Sequence, residues 1–420
     1  MTHADEVVRA RRVVVTGRGA VSPIGLDWPS TWENLIKGVS GIRKLSTVDM
    51  SGLPVSIGGE VLGLEPERLL PHKLVRRTDS SVHMALLAAI EAITDAGLEI
   101  TPEIAPRTAV VVGSAGGPTK LSAEATAGLE ARGARGISPF YFPGSGVDSA
   151  TSEIALYTGA QGASICMVTA CATGANSIGE AMRMIRFGEA DVAIAGGVDD
   201  TLTRLDITGA AVSRALSRRE DEPAAACRPF DTDRDGFVMS AGGGVLVLES
   251  ADHAAARGAR VLAELAGYGT TTDAFHMTAP HPEAITAQRA MRIALDRAGA
   301  QASDVDYINA HGTATKLNDT TEIKAIRGVF GERAPKIPVS SIKSMTGHML
   351  GGAGAVELIT AIETILTGIV PPTINCDRPE DPEMNFVPHV AQSHEVRTVM
   401  SNSFGFGGHN AVLVARRWAG

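Results

Sequence analysis

The chain has 420 residues, of which 44% are hydrophobic and only 4% are aromatic. Its 38 Lys and Arg residues against 47 Asp and Glu residues give a formal net charge of -9. This balance excludes a general nucleic-acid binder, because phosphate binding requires an excess of basic residues. The length predicts two domains or one large fused unit with a sizeable core.

The sequence gives no sign of export or of a membrane. No apolar run reaches the roughly 18 to 20 residues that a membrane span requires, and residues 1–12 lack the apolar centre of a secretory signal. The cysteines form no C-x-x-C pair, which predicts neither a zinc site nor a disulfide framework: Cys166, Cys171, Cys227 and Cys376. We therefore expect a cytoplasmic protein with reduced thiols and no nucleic-acid or membrane partner.

In the first part of the chain, short β-branched runs alternate with longer helical stretches. Residues 12–17, 108–114, 163–168 and 191–197 predict buried strands bounded by glycine or polar residues. Residues 79–97 place apolar side chains on one stripe and end at a glycine, which predicts an amphipathic helix. This alternation favours an α/β fold with helices packed on mainly parallel sheets.

The second part repeats the same organisation. Residues 305–312, 336–344 and 396–405 predict strands that lead into glycine-containing turns. The repetition indicates an internal duplication, with an N-terminal half at residues 1–258 and a C-terminal half at residues 259–420. We expect the two halves to form one fused core, because no Pro- or Ser-rich linker separates them.

One cysteine lies where a strand is predicted to pass into a helix, in the stretch MVTACATGANSIGE. Unpaired N–H groups and the helix dipole at that place would lower the pKa of the Cys171 thiol and would bind an oxyanion. Cys171 is therefore a candidate nucleophile toward thioesters. The alternative is a small buried hydrophobe in a turn, which is how we interpret Cys166 inside the preceding strand.

Two histidines occupy matched positions in the second part, each after a strand and before glycines. Neutral imidazoles at His311 and His348 could donate N–H groups to an enolate oxygen, and one of them could act as a general base. Lys343 and Glu357 flank His348 and could pair, either on the surface or as a buried charge pair that holds His348 in place.

Six motifs together resemble the β-ketoacyl-acyl carrier protein synthases of the thiolase superfamily, and the match is closest to the elongating, synthase II type. They are TACATGANSIGEA, RPFDTDRDGFV, DAFHMTAP, NAHGTAT, SSIKSMTGHMLGGAGAVE and SNSFGFGGHN. The resemblance extends from about residue 12 to residue 416. It implies a thiolase-like fold of two similar halves in an α-β-α-β-α sandwich, and a homodimer or a heterodimer with a related subunit.

The resemblance also implies a role for each matched residue. Cys171 would accept the acyl chain, and His311 and His348, supported by Lys343 and Glu357, would promote decarboxylation of a malonyl thioester. The N–H groups of Cys171 and Phe406 would form the oxyanion hole, with the Phe406 ring as a gate. The substrate-binding positions are Thr313 and Thr315 for the pantetheine arm, together with Ala115 and Phe404.

The resemblance further implies an acidic acyl carrier protein as partner and no resident organic cofactor, because the phosphopantetheine arrives on the carrier. An acidic enzyme then needs a local basic docking site, for which the matched positions are Lys73, Arg76, Arg77, Arg135 and Arg214. Four positions match residues that surround a monovalent cation in some relatives, although they could equally form a hydrogen-bond cluster: Asn309, Glu357, Ser401 and Asn402.

The sequence departs from the family pattern near the substrate. Lys316 replaces a proline that is usual after the His311 motif, Ala115 replaces a bulkier aliphatic residue, and a basic residue is missing at Gly136. These differences leave fatty-acid elongation as the first interpretation. The alternative is a ketosynthase subunit of a discrete type II polyketide synthase, such as one that builds a polyene with a chain-length factor.

Three further classes fit less well. A thiolase should carry a second catalytic cysteine in the C-terminal glycine-rich loop, where this chain has FGFGGHN. An initiating synthase would have a Cys-His-Asn set instead of two histidines, and a chain-length factor would normally have lost the cysteine. The complete set of Cys171, His311 and His348 favours an active, elongating condensing enzyme.

Overall fold

The computed structural model describes residues 10–420; the first nine residues, part of the predicted N-terminal half and of the stretch tested for a signal, lie outside the described residues. The strands of the N-terminal half are β1 (Val13–Val21), β2 (Ile42–Lys44), β3 (Ile57–Gly59), β4 (Thr108–Gly113), β5 (Ser164–Ile165), β6 (Val192–Asp199) and β7 (Gly242–Ser250). Those of the C-terminal half are β8 (Ala263–Thr272), β9 (Tyr307–Asn309), β10 (Val339–Ser340), β11 (Ile369–Val370), β12 (Gln392–Ser393), β13 (Thr398–Gly405) and β14 (His409–Arg416).

Fourteen α-helices connect these strands within residues 10–420. The first nine are α1 (Trp28–Ile36), α2 (Pro66–Leu69), α3 (His72–Val75), α4 (Ser80–Ala96), α5 (Thr119–Arg132), α6 (Tyr141–Gly144), α7 (Ser149–Thr158), α8 (Thr173–Arg186) and α9 (Arg204–Val212). The others are α10 (Ala251–Ala256), α11 (Ile285–Ala298), α12 (Lys316–Phe330), α13 (Lys343–Thr346) and α14 (Ala353–Thr367).

The two halves share one strand topology. The order is β1-β7-β6-β4-β5 in the first half and β8-β14-β13-β9-β10 in the second. In each half the first three strands are antiparallel and the last three are parallel. The first strands of the halves, β1 and β8, also pair with each other. The internal duplication predicted from the sequence is therefore present; the exact boundary at residue 258 stays a prediction.

The helices complete five layers. α4 covers the outer face of the five strands of the first half, and α11 covers the outer face of the five strands of the second half. α8 and α14 lie between these two five-stranded layers. α14 is apolar and buried along nearly its whole length, as expected for a helix that contacts sheets on two sides. The predicted thiolase-like α-β-α-β-α sandwich is confirmed.

Glycines on the first strand of each half let the outer helix approach the sheet. A Cβ added at Gly17 or Gly19 of β1 would lie 2.0 or 2.2 Å from a carbonyl oxygen of α4, and one added at Gly267 or Gly269 of β8 would lie 2.1 or 2.0 Å from a carbonyl oxygen of α11. Such distances exclude any side chain. The same close packing in both halves explains part of the high glycine content.

Two predicted features differ from the structure. The segment at residues 163–168 is not a buried strand, because only β5 is extended and β5 is exposed. Within residues 10–420, β5 is the last strand of the sheet and pairs only with β4. The segment Leu350–Thr367 is apolar and long enough to span a membrane, contrary to the expectation for the sequence, but 83% of it is buried inside the fold. The segment consists of a short turn at Leu350–Gly352 and of α14.

Candidate active site

Cys171 lies in a tight turn at the start of α8. Ala170 before it adopts a left-handed conformation with φ of 49°, which is uncommon for a residue with a Cβ. The Thr169 N–H donates to Thr173 Oγ1 at 2.8 Å and closes the turn. The prediction that Cys171 lies at a helix N-terminus is confirmed. The other cysteine of this stretch, Cys166, is half-buried, and its thiol donates to the Val147 carbonyl at 3.3 Å.

The environment of Cys171 differs from the expectation in one respect. Burial raises the pKa of the Cys171 thiol to about 11, against the opposing effects of the Phe406 N–H group and of the Lys343 charge. The predicted lowering of the pKa by the helix N-terminus is therefore wrong, because the loss of solvation outweighs it. A resting thiol must lose its proton during attack on the substrate.

The glycine-rich turn after β13 reaches the cysteine from the other half. The backbone N–H groups of Phe406 and of Cys171 itself both lower the pKa of the thiol, so both act on the sulfur. A Cβ on Gly405 would lie 2.9 Å from the Thr169 carbonyl and 3.1 Å from the Cys171 nitrogen, so only glycine permits this approach. Two N–H groups thus converge on one point, as an oxyanion hole requires.

The two histidines complete this centre. Cys171 Sγ and one ring nitrogen from each of His311 and His348 lie within 4.8 Å of one another, and the two imidazole rings are 5.4 Å apart at 81°. His311 follows β9, and His348 lies between α13 and α14. The topological equivalence of the two halves brings both second-half histidines to the cysteine of the first half, as predicted.

A buried charge pair holds His311. Lys343 donates to the His311 carbonyl at 2.7 Å, lies 3.3 Å from His311 Nδ1 and pairs with Glu357. A buried charge pair was expected to hold His348, but the histidine that it contacts is His311. Glu322, which the sequence analysis missed, accepts the His311 and Gly312 N–H groups at 2.8 and 2.7 Å. The only sign of Glu322 in the sequence is a carboxylate on the face of α12 that is otherwise apolar and buried.

His348 is held differently. The backbone N–H group of His348 donates to the Val238 carbonyl at 2.7 Å. The centres of the His348 and Phe237 rings are 5.3 Å apart in an edge-to-face arrangement. Within the described part of the chain, neither ring nitrogen has a hydrogen-bond partner. Burial and the Lys343 charge hold the pKa values of both His348 and His311 well below the usual range. Both imidazoles are therefore neutral at physiological pH.

A cleft of about 320 Å³ leads to this centre. Phe404 and Phe406 line it, as do Thr313 and Thr315, whose hydroxyl groups are 3.0 Å apart. The predicted substrate residue Ala115 lies outside the cleft, where its N–H group donates to Asp199 Oδ2 at 3.0 Å.

The five predicted docking residues do not share one environment. Arg214 is exposed and lines the cleft. Lys73, Arg76 and Arg135 are exposed but lie outside the cleft lining, and Arg77 is half-buried in an ion pair with Glu153 at 2.7 Å. Lys316, which departs from the family pattern, is also exposed and lines the same cleft as Arg214.

The four candidate cation ligands are all buried. Three of their oxygens have no hydrogen-bond partner within residues 10–420: Asn309 Oδ1, Glu357 Oε2 and Asn402 Oδ1. Buried oxygens without partners are costly, and amide and carboxylate oxygens suit a hard cation. These residues therefore fit a bound cation better than a closed hydrogen-bond cluster.

The sandwich of duplicated halves, with a cysteine and two neutral histidines at the end of a cleft, defines a thiolase-like acyltransferase of the Cys-His-His class. The models of the β-ketoacyl synthase N-terminal and C-terminal domains match residues 10–254 and 262–377. The chain belongs to the β-ketoacyl synthase family and is an enzyme of that family.

Individual relatives agree with this assignment. The chain is 47% identical over 410 residues to a 3-oxoacyl-[acyl-carrier-protein] synthase 2 of Staphylococcus aureus, covering 97% of this chain and 99% of that protein. Among solved structures, the ishigamide ketosynthase/chain length factor superposes with a TM-score of 0.90 at 36% identity, covering 98% and 100%. A type II polyketide ketosynthase in complex with its acyl-carrier protein gives 0.86 at 35%, covering 97% and 100%.

Proposed function

We propose that the protein extends an acyl chain held on Cys171 by decarboxylative Claisen condensation with malonyl-acyl carrier protein, giving a 3-ketoacyl-acyl carrier protein two carbons longer, in fatty-acid elongation. The observation that carries the proposal is the convergence of Cys171 Sγ with ring nitrogens of His311 and His348 at the end of one cleft. The 47% identity to a named 3-oxoacyl-[acyl-carrier-protein] synthase supports the carrier-bound substrate.

In the first half-reaction, Cys171 Sγ attacks the carbonyl carbon of an acyl thioester. The oxygen becomes negatively charged and is stabilised by the N–H groups of Cys171 and Phe406, which both act on the Cys171 thiol. The carbon–sulfur bond to the carrier then breaks, and the carrier thiolate takes up the proton that Cys171 has lost. The Phe406 ring, 41% exposed at the cleft, is positioned to move when the chain is captured.

In the second half-reaction, a malonyl thioester occupies the cleft. Lys343 donates toward His311 Nδ1, so the neutral ring carries its proton on Nε2 and can donate it to the thioester oxygen. His348, with both nitrogens unengaged in the described structure, is the second donor. Carbon dioxide leaves, the enolate carbon attacks the acyl carbonyl, and the carbon–sulfur bond to Cys171 breaks. The released Cys171 thiolate then takes up a proton from solvent.

The substrate reaches this centre on an acyl carrier protein, whose pantetheine arm Thr313 and Thr315 contact through their paired hydroxyl groups. Arg214 at the cleft is the docking residue best placed for an acidic carrier, with Lys73, Arg76 and Arg135 as more distant contacts. Arg77 contributes less, because Glu153 already neutralises it.

A second subunit covers the exposed edge of the first sheet. β5 ends that sheet and pairs only with β4 in the described structure, and an unpaired edge invites another chain. Apolar side chains surround it: Leu156 and Tyr157 on α7, which packs against β5, together with Ile165 and Val168. The partner is a second copy of this chain in the elongation enzyme.

The enzyme works in the cytoplasm without a resident organic cofactor, since the phosphopantetheine comes with the carrier. Asn309, Glu357 and Asn402, with buried oxygens lacking partners, and the neighbouring buried Ser401 would hold a monovalent cation. Such an ion would supply positive charge beside the Lys343–Glu357 pair. Its removal is expected to lower thermal stability more than substrate affinity.

The alternative function is that of a type II polyketide ketosynthase paired with a chain-length factor, which the similarity to the ishigamide ketosynthase supports. Product analysis with purified protein separates the two. For an elongation enzyme, the protein alone is a dimer by native mass spectrometry and extends saturated acyl carriers. Activity only after a second subunit is added, or only on unsaturated chains, would favour the polyketide function and overturn the elongation function.

A further inference from the structure

A buried carboxylate outside the catalytic set contacts both the turn after His348 and the segment after β4. Asp199, the last residue of β6, is fully buried. Its Oδ2 accepts the Gly351 N–H at 2.6 Å and the Ala115 N–H at 3.0 Å, while its Oδ1 accepts the Ser114 hydroxyl at 2.6 Å and the Gly116 N–H at 3.0 Å. Four donors leave the carboxylate fully satisfied.

The hydrogen bond from Gly351 links Asp199 to the turn that follows His348. Gly351 lies three residues after His348, and Leu350 between them adopts a left-handed conformation with φ of 45°. A leucine in this region is strained and persists only when its surroundings hold it. The hydrogen bond from Gly351 to Asp199 holds this turn.

The same turn packs directly on the helix that begins after the nucleophile. The Gly351 carbonyl oxygen would lie 2.7 Å from a Cβ on Gly174, in the first turn of α8, and 2.3 Å from one on Gly197 of β6. Only residues without a Cβ permit this contact. The position of the Gly351 peptide therefore sets the spacing between the turn of His348 and the helix of Cys171.

We propose that Asp199 is a positioning residue for the condensation, whose carboxylate holds the His348 turn against the helix of Cys171. The inference rests on the proposed function, because it assigns a role within that reaction. Misplacement of a reacting group by about 1 Å costs on the order of a hundredfold in rate, so a residue that fixes this spacing acts on the chemical step without touching substrate.

The charge of Asp199 also reaches the nucleophile. It raises the pKa of the Cys171 thiol, whereas the charge of Lys343 lowers it; His311 and His348 face the thiol as neutral rings. Removal of the charge therefore gives a second readout that is independent of condensation.

The test compares Asp199→Asn with Ser114→Ala in the full-length protein. An asparagine has one acceptor oxygen in place of two, so it cannot accept from the Gly351 and Gly116 N–H groups at once and the link between the two segments is weakened. Ser114→Ala removes only one contact of the Oδ1 oxygen. For Asp199→Asn we expect kcat to fall by about a hundredfold with KM for malonyl carrier unchanged. Ser114→Ala should retain the wild-type kcat.

The second readout is the pH dependence of Cys171 alkylation by iodoacetamide, followed by intact mass. In Asp199→Asn its midpoint should move to lower pH, because a negative charge near the thiol is gone. If this variant does not fold, Gly351→Ala tests the same contact, since its Cβ would lie 2.6 Å from Asp199 Oδ2. An unchanged kcat, an equal loss in Ser114→Ala or an unmoved midpoint would overturn the proposal.

These outcomes are distinct from failure of the proposed function. If the wild-type protein condensed no acyl chain, the proposed function would fall before any variant was compared. Alkylation of Cys171 needs no carrier or acyl chain, and its midpoint would still report whether Asp199 acts on the thiol.

Discussion

Lys343 donates to the His311 carbonyl at 2.7 Å and approaches Nδ1 of the same ring at 3.3 Å. One ammonium group thus fixes both the backbone and the ring of this histidine. Its position also determines which nitrogen carries the proton, since a nitrogen that faces an ammonium group must accept. The first prediction follows from this contact.

Replacement of Lys343 by methionine should abolish condensation while Cys171 still captures an acyl chain. The His311 ring loses its orientation and its tautomer, and loss of one donor to a developing enolate costs about a hundred- to a thousandfold in rate. The measurement is carbon dioxide release from malonyl carrier beside intact mass of the acyl-enzyme. Equal loss of both half-reactions would contradict the role assigned to this residue.

The same substitution should destabilise the protein. Glu357 would be left as an uncompensated buried charge, which typically costs about 3–5 kcal/mol. The double variant Lys343→Met/Glu357→Leu should recover most of this stability in thermal unfolding without recovering activity. Recovery of activity in the double variant would show that the pair acts through stability alone.

Both catalytic histidines should remain neutral at pH 6. Burial and the Lys343 charge disfavour the imidazolium form, so the pKa values of His311 and His348 lie well below 6.5. Ring ¹⁵N resonances assigned with His311→Gln and His348→Gln should therefore not titrate between pH 6 and pH 7.5. Titration of either catalytic ring in this range would contradict the donor role.

Gly405→Ala should give a folded protein with a damaged oxyanion hole. The new Cβ would lie 2.9 Å from the Thr169 carbonyl and 3.1 Å from the Cys171 nitrogen, so one of the two converging N–H groups must move. We expect kcat to fall about a hundredfold. Gly209→Ala, in open space on α9, is the matched control and should keep full activity in the same assay.

Charge reversal at the cleft should weaken use of the carrier. Arg214→Glu and Lys316→Glu are expected to raise KM for acyl carrier while sparing a small free acyl thioester, because only the acidic carrier needs a basic surface. Arg397→Glu, at an exposed ion pair with Glu395, should change neither value. An equal loss on both substrates would place Arg214 and Lys316 in the chemistry instead of in docking.

Much of the fold and the catalytic set could be predicted from the sequence. Strand-to-turn patterns identified β4, β6 and β13, and the matched settings of Cys171 and His348 reflected the duplication that joins β5 to α8 and β10 to α14. These are local signals, which is why Asp79 and Gly97 also marked the limits of α4 correctly as its N-cap and C-cap.

The errors concern properties that depend on distant parts of the chain. The pKa of the Cys171 thiol is raised by burial. Lys343 contacts His311, and not His348, because β9 and β10, which precede His311 and Lys343, are paired in the sheet. β5 is exposed because of its place in the sheet order, which no local pattern reveals. Asp199 and Glu322 were missed for the same reason, since their partners lie on other elements.

Intact-mass analysis of the wild-type protein and Cys171→Ala, incubated with acyl carrier and then malonyl carrier, tests the central claim most directly. The account predicts one acyl group on the wild-type protein, none on Cys171→Ala, and release of a 3-ketoacyl carrier two carbons longer when malonyl carrier follows. Absence of an acyl group on the wild-type protein, or capture that persists in Cys171→Ala, would contradict it.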